Sequence, residues 1–191
     1  PRDVEFLKTT ALSLLNYCRG NNWAGYDPYD ALNSRLIAAL PVLNFRISRL
    51  LITQLIKRSP LNLRPLLLVP RTHNPKGTAL FLASIVRLVK VGLIAEDGSI
   101  NRLAEMLLNL RSPGQRYFSW GYDFNWQTRG ALVPSRSPNI ICTSFAANAL
   151  LDAYEFSSNP LWLDAAKSAA DFVHDVLFWS NASVPGCFSY T

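Results

Sequence analysis

Three stretches of this chain concentrate side chains able to recognise and act on a polar ligand. The first reads Asn21-Asn22-Trp23-Ala24-Gly25-Tyr26-Asp27-Pro28-Tyr29-Asp30 and is followed by Asn33 and Arg35. The longest reads Tyr117-Phe118-Ser119-Trp120-Gly121-Tyr122-Asp123-Phe124-Asn125-Trp126-Gln127-Thr128-Arg129, with Asn139 just beyond it. The last is Gly186-Cys187-Phe188-Ser189-Tyr190-Thr191. Aromatic faces pack on the apolar C–H faces of sugar rings, and neighbouring amides, carboxylates and guanidinium groups bond ring hydroxyls or a uronate. A mostly apolar pocket with a few placed polar groups is the usual form of a ligand site. On that reading Trp23, Tyr26, Tyr29, Trp120, Tyr122 and Trp126 supply platforms, and Asn33, Gln127 and Asn139 supply polar contacts. Arg35 or Arg129 would hold a carboxylate. The competing reading has the aromatics plugging one end of a helical bundle, with the polar groups capping helices.

Asp27, Asp30 and Asp123 are the candidate acid/base carboxylates, suited to hydrolysis, elimination or epimerisation at a sugar. Glycoside hydrolysis needs two of them roughly 5–9.5 Å apart, a spacing sequence does not supply. Asp27 precedes Pro28 and Asp30 stands where a helix opens, so either also suits an N-cap. His73 lies at a loop-to-helix junction, where it suits a base near neutral pH or a capping contact. His174 falls within a helix and reads as structural.

The chain lacks His-Glu-x-x-His, Cys-x-x-Cys and a glycine-rich phosphate loop, so no metal, nucleotide or other cofactor is assigned. Cys18, Cys142 and Cys187 are odd in number and far apart. Two of them lie in apolar helical surroundings, which suits free thiols and a reducing compartment, the cytoplasm. Asn181-Ala182-Ser183 matches a glycosylation tripeptide, a pattern that recurs by chance.

Nearly half the residues are apolar and only 17% are charged, which excludes a disordered chain. The most apolar run, Ala79 to Val91, is broken by Arg87 and Lys90 and falls short of the roughly 20 residues a membrane span needs. The formal charge is +6, with Arg46, Arg49, Lys57, Arg58, Arg64 and Arg71 grouped in one stretch. That grouping fits a solvated helix face or an anionic partner. An acidic glycan ranks above nucleic acid, for which no motif is present.

The elements that must position these residues are helices, since apolar residues recur at helical spacing and no strand alternation stands out. Seven helices are predicted, at about Asp3–Arg19, Tyr29–Leu40, Val42–Lys57, Asn74–Val91, Ile100–Leu110, Pro138–Phe156 and Pro160–Ser180. Asp3, Asn74, Ser99, Ser137 and Asn159 are candidate starts, Pro41 a break, and Gly92 a stop. Long and short connections alternate, so in antiparallel hairpins the long, aromatic-rich ones share one rim if Pro41 breaks the second helix; a helix continuous to Lys57 would put the first long loop and the Arg111–Ser137 loop on opposite rims. This predicts an all-α fold, a single domain over 1–191 in which helical hairpins form part of an α/α toroid. The second, fourth and sixth helices would line its inside. The small residues from Thr143 to Ala149 suit close packing in the sixth. A stacked-hairpin solenoid is the alternative, although no repeat of fixed period is present.

The string Trp120–Arg129, then Ser137-Pro138-Asn139-Ile140 and Phe145–Glu155, resembles a group of microbial proteins from polysaccharide-biosynthesis gene clusters. Gly25–Ser34 is similar to their first loop. Some members are labelled delta-aminolevulinic acid dehydratase, a chemistry whose lysine-centred barrel is absent here. The resemblance implies an incomplete six-hairpin, glycosidase-like toroid, the N-terminal half of a longer domain, with any partner for Asp123 in later hairpins. It implies a protein of polysaccharide metabolism that acts on or binds a sugar or uronic-acid chain. The alternative is a non-catalytic glycan-binding or scaffold protein. A terpene-type toroid ranks low, because the acidic cluster for diphosphate and metal is missing. No catalytic set carries over from the group.

Overall fold

The computed structural model describes residues 2–181 and 183–191; the side chains of Arg2, Asp3 and Val184 also lie outside that description. Most of the chain is helical. The helices are α1 (Arg2–Gly20), α2 (Arg35–Ala38), α3 (Arg46–Arg58), α4 (Pro75–Lys90), α5 (Ser99–Asn109), α6 (Ile140–Ser157) and α7 (Pro160–Phe172). α4 packs against both α5 and α6, and α6 against both α4 and α7. The core runs through this layer: Leu82, Ile85 and Val86 of α4, Leu103 and Leu107 of α5, Ala146, Ala149, Leu150 and Ala153 of α6, and Trp162 and Ala165 of α7 are buried. The alanines of α6 let its neighbours approach closely on either side, the role the sequence assigned to that small-residue stretch.

Helix starts follow side-chain chemistry closely. Asn74 and Asn159 each accept a hydrogen bond from an N–H of the first turn and are followed by proline at the first helical position. α6 is capped by Asn139, which accepts from the Cys142 N–H at 2.8 Å, so the start lies two residues beyond Ser137. α5 is preceded by Gly98 with no side-chain cap, and Ser99 is already its first residue. α1 begins at Arg2, and the proposed Asp3 cap falls outside the described side chains. Gly92 sits just past α4 at φ +68°, the left-handed conformation expected of a helix stop.

Two expectations change. The predicted second helix is not continuous: it divides into a 3₁₀ turn at Asp30–Asn33, the single turn α2 and a further 3₁₀ turn at Pro41–Leu43. Ser34 ends the first turn and caps α2 through its hydroxyl, while proline interrupts the ladder after Leu40. A one-turn α2 does not line an interior. The end of the seventh helix also changes, passing through a π-helical turn at Val173–Leu177 into an antiparallel ribbon of β3 (Phe178–Asn181) and β4 (Val184–Phe188). A second ribbon, β1 (Trp126–Gln127) with β2 (Leu132–Val133), lies inside the long loop. These strands are too short for alternation to show in sequence. Ala182 of the glycosylation tripeptide lies outside the described residues. No helix among the described residues is long and apolar enough to cross a membrane.

The 111–139 loop is fastened to α6 rather than left free. Trp120 exchanges hydrogen bonds with Thr143 and accepts from the Asn139 N–H, and the Arg136 N–H donates to the Tyr122 carbonyl at 2.6 Å. Between them Gly121 lies so close to the returning chain that a Cβ there would stand 1.8 Å from the Ser137 carbonyl oxygen. Gly121→Ala is therefore expected to force the two segments apart and lose at least roughly 1–3 kcal/mol, the usual range for overpacking. Chemical denaturation of the two proteins measures this.

Candidate functional site

Three loops meet beside Asp27. The first and the one before α4 join through paired backbone hydrogen bonds between Gly25 and Thr72, both 3.0 Å. The first and the long loop join through Asn33, whose amide donates to the Asp123 carbonyl at 3.1 Å and accepts from the Asn125 N–H at 3.4 Å. The C-terminal loop adds Tyr190, whose carbonyl accepts from the Ile140 N–H at 2.9 Å. The segments around Trp23 and Trp126 thus come together at one place.

Two cavities open there. One, of about 400 Å³, is lined by Trp23, Tyr26, Asp27, Arg71, Asn74 and Asp123 among others. The second, of about 370 Å³, is walled by Tyr29, Tyr122, Phe124, Trp126, Gln127 and Tyr190, with Leu50, Thr53 and Gln54 of α3. Asp27 lines both.

The carboxylates divide by environment. Asp30 is almost wholly buried, 2.7 Å from the Arg64 guanidinium, and accepts the Asp27 N–H. It lines neither cavity, so its candidate catalytic role gives way to a structural one. Asp27 accepts the Tyr29 N–H at 2.9 Å on one oxygen and the Asn74 amide at 3.3 Å on the other. Asn74 caps α4 through its oxygen, which turns its NH₂ toward Asp27. Asp123 accepts the Thr72 hydroxyl on one oxygen, while the other is buried without a partner. Burial raises both carboxyls above the ordinary aspartate range. For Asp27, the Tyr29 N–H opposes the rise, and the neighbouring Asp123 and Asp30 charges add to it. For Asp123, the Thr72 hydroxyl opposes it. Two carboxyls with raised affinity for protons beside one cavity can donate or accept a proton closer to neutrality than exposed aspartates do.

The aromatic candidates divide as well. Trp126 meets Tyr190 edge-on at 5.9 Å between ring centroids, and Tyr122 stacks on Phe124 at 5.1 Å. Tyr29 lies under the Lys57 ammonium, and Tyr26 lies near the Arg64 and Arg71 guanidinium groups. Trp23 is buried against Phe81 yet keeps an edge on the first cavity. Trp120 is fully buried, its indole N–H donating to the Leu107 carbonyl at 2.7 Å. Its proposed role as a sugar platform is replaced by a place in the core, because no face of the ring is open. Asn139, buried as the α6 cap, is likewise corrected from ligand contact to cap. Asn33 serves as the tether between loops. Arg35 and Arg129 are exposed and line neither cavity. Gln127 remains on the second cavity, its oxygen accepting from Arg49 at 2.8 Å.

Thr72 and Asn74 are additions to the site, joined by Tyr190 of the last aromatic stretch and Arg71 of the basic one. Asn74-Pro75 was legible as a helix start, but its free NH₂ takes a direction only once the cap fixes the oxygen. His73 bonds the Asn22 carbonyl at 2.8 Å and acts as a strut between loops. His174 is exposed beside Asp175 in the π-helical turn. Burial pushes the Cys142 thiol up to about 12, so it stays protonated. No group of three or more His, Cys, Asp or Glu side chains suited to a metal ion occurs among the described residues.

Compared with protein-family models, curated proteins and solved structures, the chain matches none.

A carboxyl whose folded pKa is raised stabilises the fold below its unfolded value, and that contribution is lost as pH climbs through the folded value. Asp123→Asn keeps an acceptor for Thr72 and removes the buried charge. Its melting temperature at pH 7 is expected to exceed that of the parent by roughly 2–4 °C, the effect of about 1 kcal/mol in a chain of this size. The difference should vanish near pH 3.5. Thermal melts across that range decide it.

Proposed function

We propose that this protein acts on a glycan, neutral or uronic-acid-containing, as a carbohydrate-active enzyme of the hydrolase, lyase or epimerase type. The observation that carries the reading is the position of Asp27. It lines a cavity that also contains Asp123, and it lines a second cavity walled by Trp126, Tyr122, Tyr29 and Tyr190. A sugar stacked on those rings would bring a linkage or ring carbon to the edge where Asp27 would give or take a proton, with Asp123 beyond it on the first cavity. The partly open rings of the second cavity suit C–H faces, while the Gln127 amide is held by Arg49, Thr128 and Ala131. Arg71, which bonds Asn21 at 2.5 Å at the mouth of the first cavity, suits a uronate.

The hairpins α4–α5 and α6–α7, with α4 and α6 side by side, support reading the fold as part of an α/α toroid. We propose with it that architecture, a place in polysaccharide metabolism and a cytoplasmic location.

A non-catalytic glycan-binding role is favoured by one observation. Both oxygens of Asp27 already accept hydrogen bonds from the protein, an arrangement that a purely structural turn would also use. Screening the full-length protein against neutral and acidic oligosaccharides, with affinity and product both read, separates the two. The enzyme reading expects turnover that falls at least a hundredfold in Asp27→Asn and Asp123→Asn, with binding retained, on the scale typical of acid–base groups, roughly 10²–10⁴. Trp126→Ala is expected to abolish binding without unfolding the protein. Unchanged affinity by calorimetry removes its platform role, and binding with no product from any substrate leaves the scaffold reading.

A further inference from the structure

α3 presents two faces of different character. Toward the interior, Ser48 and Ile56 are buried, and Leu50, Thr53 and Gln54 line the aromatic cavity. Toward solvent, Ile47, Leu51 and Leu55 follow one another at four-residue spacing and are 63%, 59% and 68% exposed. Residues four apart share a helix face, so these three form a continuous apolar stripe where a surface helix ordinarily carries polar groups. Phe45, 54% exposed, extends it at the N-terminal end.

The charge along this part of the sequence has one sign, and Asp30, which packs against α3 on its inner side, is neutralised by Arg64. From residue 31 to residue 95 the sequence contains no aspartate or glutamate and ten lysines and arginines. Arg49, Lys57, Arg64 and Arg71 have partners within the protein. Arg46 and Arg58, one at each end of α3, are exposed and their guanidinium groups have no ion-pair or hydrogen-bond partner among the described residues. An apolar stripe with free cations at both ends and no acidic residue near it in sequence complements a surface that is apolar beneath and anionic above.

We infer that the outward face of α3 docks on an anionic lipid surface, lying in its plane with Ile47, Leu51 and Leu55 inserted and Arg46 and Arg58 at the headgroups. A helix of this composition is the interfacial kind, and each basic residue near such a surface strengthens attachment roughly fivefold. At 13 residues, α3 spans only about 20 Å and cannot cross the roughly 30 Å hydrocarbon core, so the contact is peripheral. It does not depend on the glycan reading.

The test is co-sedimentation of the full-length protein with vesicles of phosphatidylcholine alone and of phosphatidylcholine with phosphatidylglycerol at three to one. Binding is expected to the anionic vesicles only and to weaken as salt rises. Arg46→Gln/Arg58→Gln, a surface change that leaves the fold intact, should weaken it roughly twenty-five-fold. Leu51→Ser/Leu55→Ser should remove it while the far-ultraviolet circular dichroism is unchanged. No binding by the parent to anionic vesicles overturns the inference, as does equal binding by the arginine variant. A dimer in solution that Leu51→Ser/Leu55→Ser dissolves also overturns it, since the stripe would then serve a second copy of the chain.

Discussion

Arg64 and Asp30 meet at 2.7 Å with only a small part of either side chain exposed, and the geometry around Asp27 follows from that pair. The Arg64 guanidinium bonds Asp30 through Nε and the Asp27 carbonyl through Nη2 at 2.9 Å, while Asp30 accepts the Asp27 N–H at 3.0 Å. The main chain of Asp27 is thus gripped on both sides by one ion pair. Deleting one partner of such a pair leaves a stranded charge and costs about 3–5 kcal/mol. The pair also joins the 21–34 loop to the 59–74 loop, which in turn carries Thr72 to Asp123 and Asn74 to Asp27. An aspartate that looked catalytic by type holds in place the one that lines the cavities.

Local chemistry was legible in the sequence and long-range placement was not. Asn74 and Asn159 could be recognised as caps because the bond each makes spans two residues and needs nothing else. Pro41 announced an interruption for the same kind of reason. Trp120 and Trp126, by contrast, are the same residue type six positions apart in one loop. Only the approach of Gly121 to Ser137 and the bonds to Thr143 turn the first into the core and leave the second on a cavity. The alternation of long and short connections suggested that the long loops meet, but only through a full second helix. The route differs, since α2 is one turn and the loops are joined chiefly by Gly25–Thr72 and by Asn33.

The basic stretch makes the same point about charge. Counting six cations between residues 46 and 71 gives a field but not its use. Arg64 is half of a buried pair, Arg49 orients Gln127 on the second cavity, and Lys57 covers Tyr29. Arg71 stands at the mouth of the first cavity beside Tyr26, while Arg46 and Arg58 face solvent. Proximity in the chain separated none of these tasks; the fold around α3 does.

Because Asp27 is a wall common to both cavities, ligands in the two would be thermodynamically linked wherever each changed the surroundings of its carboxyl. A molecule that stripped water from that carboxyl on one side would change its hold on a proton. Occupancy on one side would therefore alter the charge met on the other, and linkage makes that influence equal in both directions. A chain long enough to fill both would encounter a single cooperative groove, whereas two short fragments would each report the presence of the other through protons taken up or released.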